Sequence, residues 1–274
     1  MAQGAIPARN WAGSLAVLIA ALAAPTLALV WRLTFSAGCW ALLSLVVGAG
    51  IVAVYAKTQV QARREWLADG YFEPGSFLHD WSRRTPVLWA VSFGASLGLM
   101  ALLGLAATAW GPAEIVFFLC DALVIVALFA LFRALAGRTL RVSPRFRNIV
   151  AARWAVGVNV FVGVVALLAL RLAQPPPAYV AGASSIGEAM AGASSSIGSA
   201  CALLDRALRI AREADAALWF AMIRAEDLVP IALLRWLGWA ALLLGGGASV
   251  LAFSRLAMQL TLWGVQWSER EAGR

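Results

Sequence analysis

Six long apolar segments, separated by shorter polar ones, run through this chain of 274 residues. Each holds about 20 mostly apolar residues, the length that a helix needs to cross the hydrocarbon core of a bilayer. The segments are residues 11–31, 37–55, 87–110, 115–135, 154–172 and 229–253. Backbone polar groups inside lipid must be satisfied within the segment, and the alternating period of barrel strands is not seen. We therefore predict an all-α polytopic membrane protein with six transmembrane helices.

The charge distribution predicts the orientation of this bundle. The net charge is +8, but the basic residues flank the apolar segments and form no single stripe, which argues against nucleic acid and fits anionic lipid headgroups. With the N-terminus in the cytoplasm, 15 of the 22 basic residues lie in cytoplasmic segments, as the positive-inside rule requires. All basic residues but Lys57 are arginine, a composition typical of GC-rich bacteria. We expect a bacterial inner-membrane protein with both termini in the cytoplasm.

The six spans divide the chain into seven segments. They are a first transmembrane hairpin (1–56), a cytoplasmic aromatic and basic loop (57–86), a second hairpin (87–136), a cytoplasmic basic loop (137–153), the fifth helix (154–172), an extracytoplasmic linker with an amphipathic helix (173–228), and the sixth helix with a cytoplasmic tail (229–274). Residues 1–24 also fit a cleavable signal peptide with small residues at Ala21 and Ala23. The apolar run continues to Trp31, which favours a retained span.

Two cytoplasmic loops offer contacts with lipid or with a partner. The first carries aromatic residues among arginines, of which Trp66, Tyr71, Phe72 and Trp81 are the candidate contact residues. Such residues settle in the headgroup zone, and they are also typical of protein interfaces; we favour the headgroup interpretation. The second loop holds five arginines and no acid between 137 and 153, a pattern that binds anionic lipid.

The outer segment between the fifth and sixth spans is the most distinctive part of the chain. After Pro175–Pro177, a near-repeat rich in Gly, Ser and Ala covers residues 181–198 and indicates a flexible linker, or, less favoured, close helix packing. Apolar residues from 199 to 224 then follow a helical period. With no other outer element to cover it, this apolar face is expected to contact the membrane or a partner protein through Leu204, Leu208, Ala211, Leu218 and Trp219.

Two charged residues are predicted within the spans. Asp121 and Arg235 each lie about 9 Å from the outer end of a predicted helix, so we expect an intramembrane ion pair. A structural clamp is favoured over an ion or proton site. Asn159 is placed about 13 Å from that level by the same helical rise and is not expected to join the pair.

Small residues and cysteines complete the candidate positions. Gly94 and Gly98 form a GxxxG motif, and Gly245 and Ser249 belong to a second small-residue ladder; both predict close helix packing. The odd number of cysteines gives no disulfide framework, so Cys39, Cys120 and Cys201 are interpreted as small apolar fillers, although one pair could oxidise in a periplasm.

No motif in the sequence predicts catalysis, a cofactor or a metal site. A single histidine, His79, argues against haem held by two histidines and against a zinc site, and no phosphate-binding or dinucleotide-binding glycine motif occurs. We expect a non-enzymatic subunit or scaffold of a larger inner-membrane assembly, such as a secretion, conjugation or transport machine, with protein partners. The alternative is a small-solute or ion transporter or channel that uses Asp121 and Arg235.

Overall fold

The structure, a computed structural model, describes residues 11–71, 85–139, 142–223 and 232–272. These residues form nine α-helices and no strand. The helices are α1 (Trp11–Thr34), α2 (Leu42–Tyr71), α3 (Thr85–Ala107), α4 (Pro112–Arg138), α5 (Pro144–Ala173), α6 (Ala178–Ala181), α7 (Ile186–Ser195), α8 (Ala202–Ile223) and α9 (Ala232–Ala272). Six of them, α1 to α5 and α9, are long and apolar enough to cross a membrane, which confirms the predicted number of spans.

The spanning helices begin where the sequence lowers the cost of starting a helix. Pro112 opens α4, and the side chain of Glu114 accepts a hydrogen bond from the N–H of Gly111 at 2.9 Å. Pro144 opens α5 in the same first-turn position, where its fixed φ suits a helix and its missing N–H costs nothing. Because α5 begins ten residues before the predicted start, most of the predicted basic loop from 137 to 153 is helical.

The last helix is the centre of the bundle. Half of its span from Leu243 to Glu271 is buried inside the protein, against 28% to 39% for the other five spans. It packs along α1 and also touches α2, α3, α4 and α5. With 41 residues it is about 62 Å long, roughly twice the thickness of a hydrocarbon core. It is therefore longer than one crossing of the hydrocarbon core requires.

Close contact between α1 and α9 depends on a glycine. A Cβ atom added to Gly264 would lie 2.9 Å from the Cα of Val17 and 3.1 Å from the carbonyl oxygen of Ala16. These are backbone atoms that cannot rotate away, so a larger residue at 264 would push the two helices apart. Small residues at helix crossings replace the hydrophobic driving force that lipid does not supply.

Candidate functional site

Three helices, α6 to α8, form a cap at the end of the bundle where α1 ends and α2 begins. The Gly/Ser/Ala near-repeat, predicted to be a flexible linker, instead forms α7. Its first turn is closed by Ser185, whose side chain accepts from the N–H of Glu188, and by Glu188, whose carboxylate accepts from Ser184 at 2.8 Å. Ala189 and Ala193 are fully buried between α7 and α8. The small residues thus serve close packing, the less favoured of the two interpretations.

A disulfide ties this cap to the first transmembrane hairpin. Cys39, at the start of the second span, is bonded to Cys201, just before α8, across 162 residues of sequence. The interpretation of these two cysteines as apolar fillers is wrong, while Cys120 is free. The sequence could not pair them, because the pairing depends on the folding of a segment that was predicted to be flexible.

Hydrogen bonds reinforce the same junction. The Ser199 hydroxyl donates to the carbonyl oxygen of Phe35 at 2.6 Å, and the N–H of Ala200 donates to the carbonyl of Ser36 at 3.1 Å. Farther along α8, Arg212 donates from Nη2 to the carbonyl of Thr108 at 2.8 Å. The cap is therefore fixed to the ends of α1 and α3 as well as to Cys39.

The apolar face predicted to contact a partner lies mostly inside the protein. Leu204 is 4% exposed and Leu208 is 1% exposed, and both belong to the main core. Farther along α8, Ala216 and Phe220 pack against α6 and α7, and Trp219 is half-buried there. The assignment of Leu204 and Leu208 as a contact surface is wrong, because α8 packs against the spanning bundle and buries these two side chains in the main core.

A second apolar stripe of α8 faces outward. Leu203 is 73% exposed and Ile210 is 58% exposed. Ala207 and Ala214 are exposed between and beyond them, at the three- and four-residue spacings of one helical face. We call these four residues the outer stripe. The helical period of α8 reveals that it is amphipathic, but only the packing of the cap shows which of its apolar residues stay uncovered.

Ala211 and Leu218, also predicted as contact residues, line a cavity of about 280 Å³ between the cap, α3 and α9. Its polar lining is Arg171, Arg212 and Asp215, and Gly245 and Ser249 line its α9 side. The hydroxyl of Tyr179 donates to the carboxylate of Asp215 at 3.3 Å, and burial raises the pKa of Tyr179 to about 12. The tyrosine therefore stays neutral at physiological pH.

The carboxylate of Asp205 stabilises the beginning of α8 through hydrogen bonds to residues nearby in the sequence. The side chain of Arg209 donates to Asp205 at 2.8 Å, and the N–H of Ser199 donates to the same carboxylate at 3.0 Å. The bond from Arg209 and the bond from Ser199 hold the pKa of Asp205 below its usual value. Asp205 and Arg209 thus form an ion pair four residues apart with the acid first, which is the favourable order on a helix.

A polar cluster lies within the spans around Asp121. Asn159 Nδ2 donates to Asp121 Oδ1 and to Ser254 Oγ, both at 2.9 Å, and all three residues are buried. The prediction that Asn159 cannot reach Asp121 is wrong, because α5 begins at Pro144 and Asn159 lies at its middle. The second carboxylate oxygen of Asp121 has no hydrogen-bond partner among the described residues.

The predicted partner of Asp121 lies elsewhere along α9. The side chain of Arg235 is outside the described residues, but its helix is described, and it precedes Ser254 by about 28 Å of helical rise. An arginine side chain is too short to cover that distance. The structure therefore supports Asn159, and not Arg235, as the partner of Asp121, and Asn159 in turn links Asp121 to Ser254.

The remaining predicted positions have separate outcomes. Gly94 and Gly98 are exposed on α3, and a Cβ added to either meets nothing within 4 Å, so neither packs inside the bundle. A role for them in contact between chains stays a prediction. The aromatic side chains of the segment predicted to be the first cytoplasmic loop, Trp66, Tyr71, Phe72 and Trp81, lie outside the described residues. In the part of the chain that the structure covers, no group of three potential metal ligands occurs.

Comparison with known proteins gives no relative: no family model matches the chain, and neither the curated proteins nor the solved structures contain a significant match. The fixed cap with its outer stripe and the polar cluster around Asp121 are therefore the two features on which a functional proposal can rest.

Proposed function

We propose that this protein is a non-enzymatic integral membrane subunit or scaffold of a larger inner-membrane assembly, and that its cap is the docking platform for a protein partner. The outer stripe is the observation that carries this proposal. Leu203 and Ile210 lie on one face of a helix, and apolar side chains as exposed as these are typical of a surface that another protein covers. A platform must also hold its shape, and the disulfide and backbone hydrogen bonds of the cap supply that rigidity.

The cap is proposed to be extracytoplasmic, with both termini in the cytoplasm of a bacterium. The arginine distribution is the first argument for this orientation. The Cys39–Cys201 disulfide is a second and independent argument, because structural disulfides persist in oxidising compartments such as the periplasm and are rare in the cytosol. The partner is accordingly expected among periplasmic proteins or periplasmic domains of a secretion, conjugation or transport machine.

Charged substitutions in the outer stripe test this proposal. The amount of partner that co-purifies with the affinity-tagged protein in mild detergent is expected to fall at least ten-fold in the double variant Leu203→Glu/Ile210→Glu. The physical reason is that two carboxylates would be buried in the interface. Since both side chains are already exposed, the variant should fold normally.

The matched control is Ile186→Glu, the same change at an exposed position of α7 outside the stripe. This control should keep its partners. Equal recovery from the stripe variant and the control, or a protein that purifies alone in every case, contradicts the docking proposal.

A second candidate function, transport of an ion or small solute, is favoured by one observation. The buried carboxylate of Asp121, one oxygen of which has no hydrogen-bond partner in the described part of the chain, lies beside polar side chains of two other helices. Ionisable groups inside spans often mark ion or proton pathways. In liposomes that contain only this protein, Asp121→Asn should then abolish uptake while Ser254→Ala reduces it less. Uptake that is absent in the unaltered protein, or unchanged by Asp121→Asn, rules this candidate out.

A further inference from the structure

A cleft of about 770 Å³ opens between four spanning helices at the end of the bundle opposite the cap. Its walls are formed by Val17 near the start of α1, by the last three turns of α4, by Arg147 near the start of α5 and by Val265 near the end of α9. The cleft has an apolar part and a basic part. Its lining residues are Val17, Val126, Phe129, Ala130, Ala134, Gly137 and Val265 on the uncharged side, and Arg133, Arg138 and Arg147 on the basic side.

Two of the three arginines have no ion-pair partner among the residues that the structure describes. Arg133 forms an ion pair with Glu269 of α9. Neither Arg138 nor Arg147 forms an ion pair within the described ranges, and the Nε of Arg147 is buried with no hydrogen-bond partner there. A buried guanidinium N–H without an acceptor is costly, so an external acceptor at this position would be favourable.

Glycine allows Arg147 to lie where it does. A Cβ added to Gly137 would be 3.2 Å from both Cζ and Nε of Arg147, which is tighter than almost all real contacts. The guanidinium group therefore lies directly against the backbone of α4. This contact places Arg147 beside Arg138, one residue after Gly137, at the basic end of the cleft.

The shape of the cleft matches one leaflet of a bilayer. Val126 precedes Arg138 by twelve residues of α4, about 18 Å of helix, and half of a hydrocarbon core is about 15 Å. The apolar walls thus run from the boundary of the membrane towards its middle, while Arg138 and Arg147 lie at the boundary. A soluble anion has no apolar part that could contact such walls. An acidic peptide would have to enter the hydrocarbon core to occupy the cleft.

We propose that this cleft is a binding site for an anionic phospholipid, with the lipid phosphate held by Arg138 and Arg147 and an acyl chain lying along Val126, Phe129 and Val265. Basic pockets between spanning helices recognise anionic headgroups in this way. The site differs from the general attraction of a basic loop to a charged surface, because it needs particular side chains and a defined cleft.

The test measures lipid affinity directly. The delipidated full-length protein is titrated with phosphatidylglycerol or with zwitterionic phosphatidylcholine in detergent, and bound lipid is counted by native mass spectrometry. The unaltered protein should bind one phosphatidylglycerol with at least ten-fold preference over phosphatidylcholine. Arg138→Gln/Arg147→Gln should weaken that binding about 25-fold, since each basic residue near a headgroup contributes about five-fold.

Two controls separate the site from net charge and from misfolding. Arg153→Gln removes a charge from an exposed position of α5 outside the cleft and should leave the affinity unchanged. Gly137→Leu keeps every charge but fills the space beside α4 that the Arg147 guanidinium occupies, and it should weaken phosphatidylglycerol binding several-fold while the Cys39–Cys201 disulfide stays formed.

Four results would overturn the proposal. Three of them are equal affinity for the two lipids, an equal effect of Arg153→Gln and of the double variant, and binding of an added acidic peptide, but not of lipid, that the cleft substitutions abolish. Millimolar inorganic phosphate should compete only weakly with phosphatidylglycerol, because it cannot use the apolar walls. Equal competition by phosphate and by lipid would also contradict the assignment.

Discussion

Asn159 donates hydrogen bonds from one amide nitrogen to two neighbours on different helices, Asp121 of α4 and Ser254 of α9. Each partner is buried, so water does not compete for these bonds. The amide thereby joins three spanning helices at one level of the bundle. Polar side chains that bond across helices in this way fix their register in a solvent that gives apolar surfaces no preference for one another.

Replacing Asn159 tests this coupling. Asn159→Ala should lower the free energy of unfolding by about 1–3 kcal/mol, because it leaves the buried carboxylate of Asp121 without its donor. Asp121→Ala with Asn159→Ala should cost less than the sum of the two single changes. Denaturant unfolding in detergent measures all three variants, and strictly additive losses would show that the two side chains are not coupled.

Among the elements, the cap behaves as part of the fold and not as an appendage. Leu204 and Leu208 enter the main core, while Ala216 and Phe220 form a smaller core with α6 and α7. The cap is held between α7 and α8 by the disulfide and along α8 by the bond from Arg212 to Thr108. Charged substitutions at Leu204 and Leu208 should therefore unfold the cap, whereas those in the outer stripe should not.

The disulfide makes a measurable contribution to that attachment. Cys201→Ser should lower stability by about 2–4 kcal/mol, the usual range for a native disulfide, and Cys120→Ser should leave it unchanged. Thiol counting on denatured protein from the membrane fraction provides the direct check. One thiol should react before reduction and three after it; three reactive thiols in the unreduced protein would contradict the bond.

At the scale of the whole molecule, the cap and the basic cleft lie at opposite ends of the bundle. The cap packs where α1 ends, and the cleft lies near the start of α1 and the end of α9. One end thus carries the exposed apolar outer stripe, and the other end carries the cleft lined by arginines. This polarity agrees with the orientation proposed from the arginine count.

Site-specific labelling decides the orientation. Single cysteines at Ser195 and Ser143, both exposed, are introduced into a Cys120→Ser background that keeps the Cys39–Cys201 bond. An impermeant maleimide added to intact spheroplasts should label Ser195→Cys and not Ser143→Cys. The reverse pattern would invert the proposed topology, and labelling of both positions would indicate mixed insertion.

The apolar segments suffice to predict six spans, because the length of a helix in lipid is set by the thickness of the bilayer. Helix ends are less predictable: Pro144 starts α5 in a stretch whose charges indicate a loop. Tertiary partners are the least predictable. Asn159 reaches Asp121 only because of where α5 begins, and Cys39 meets Cys201 only because α7 forms from a composition typical of linkers.

The packing of α1 against α9 has a consequence for synthesis. Val17 lies on α1, and its neighbour Gly264 on α9 is made about 250 residues later. At about 5–20 residues per second, that interval lasts on the order of 10–50 seconds. During it the part of α1 that packs against α9 lacks this neighbour, so lipid or another protein must cover it until α9 is made. A truncated chain that stops before α9 would stay in that state and become a substrate for membrane quality control.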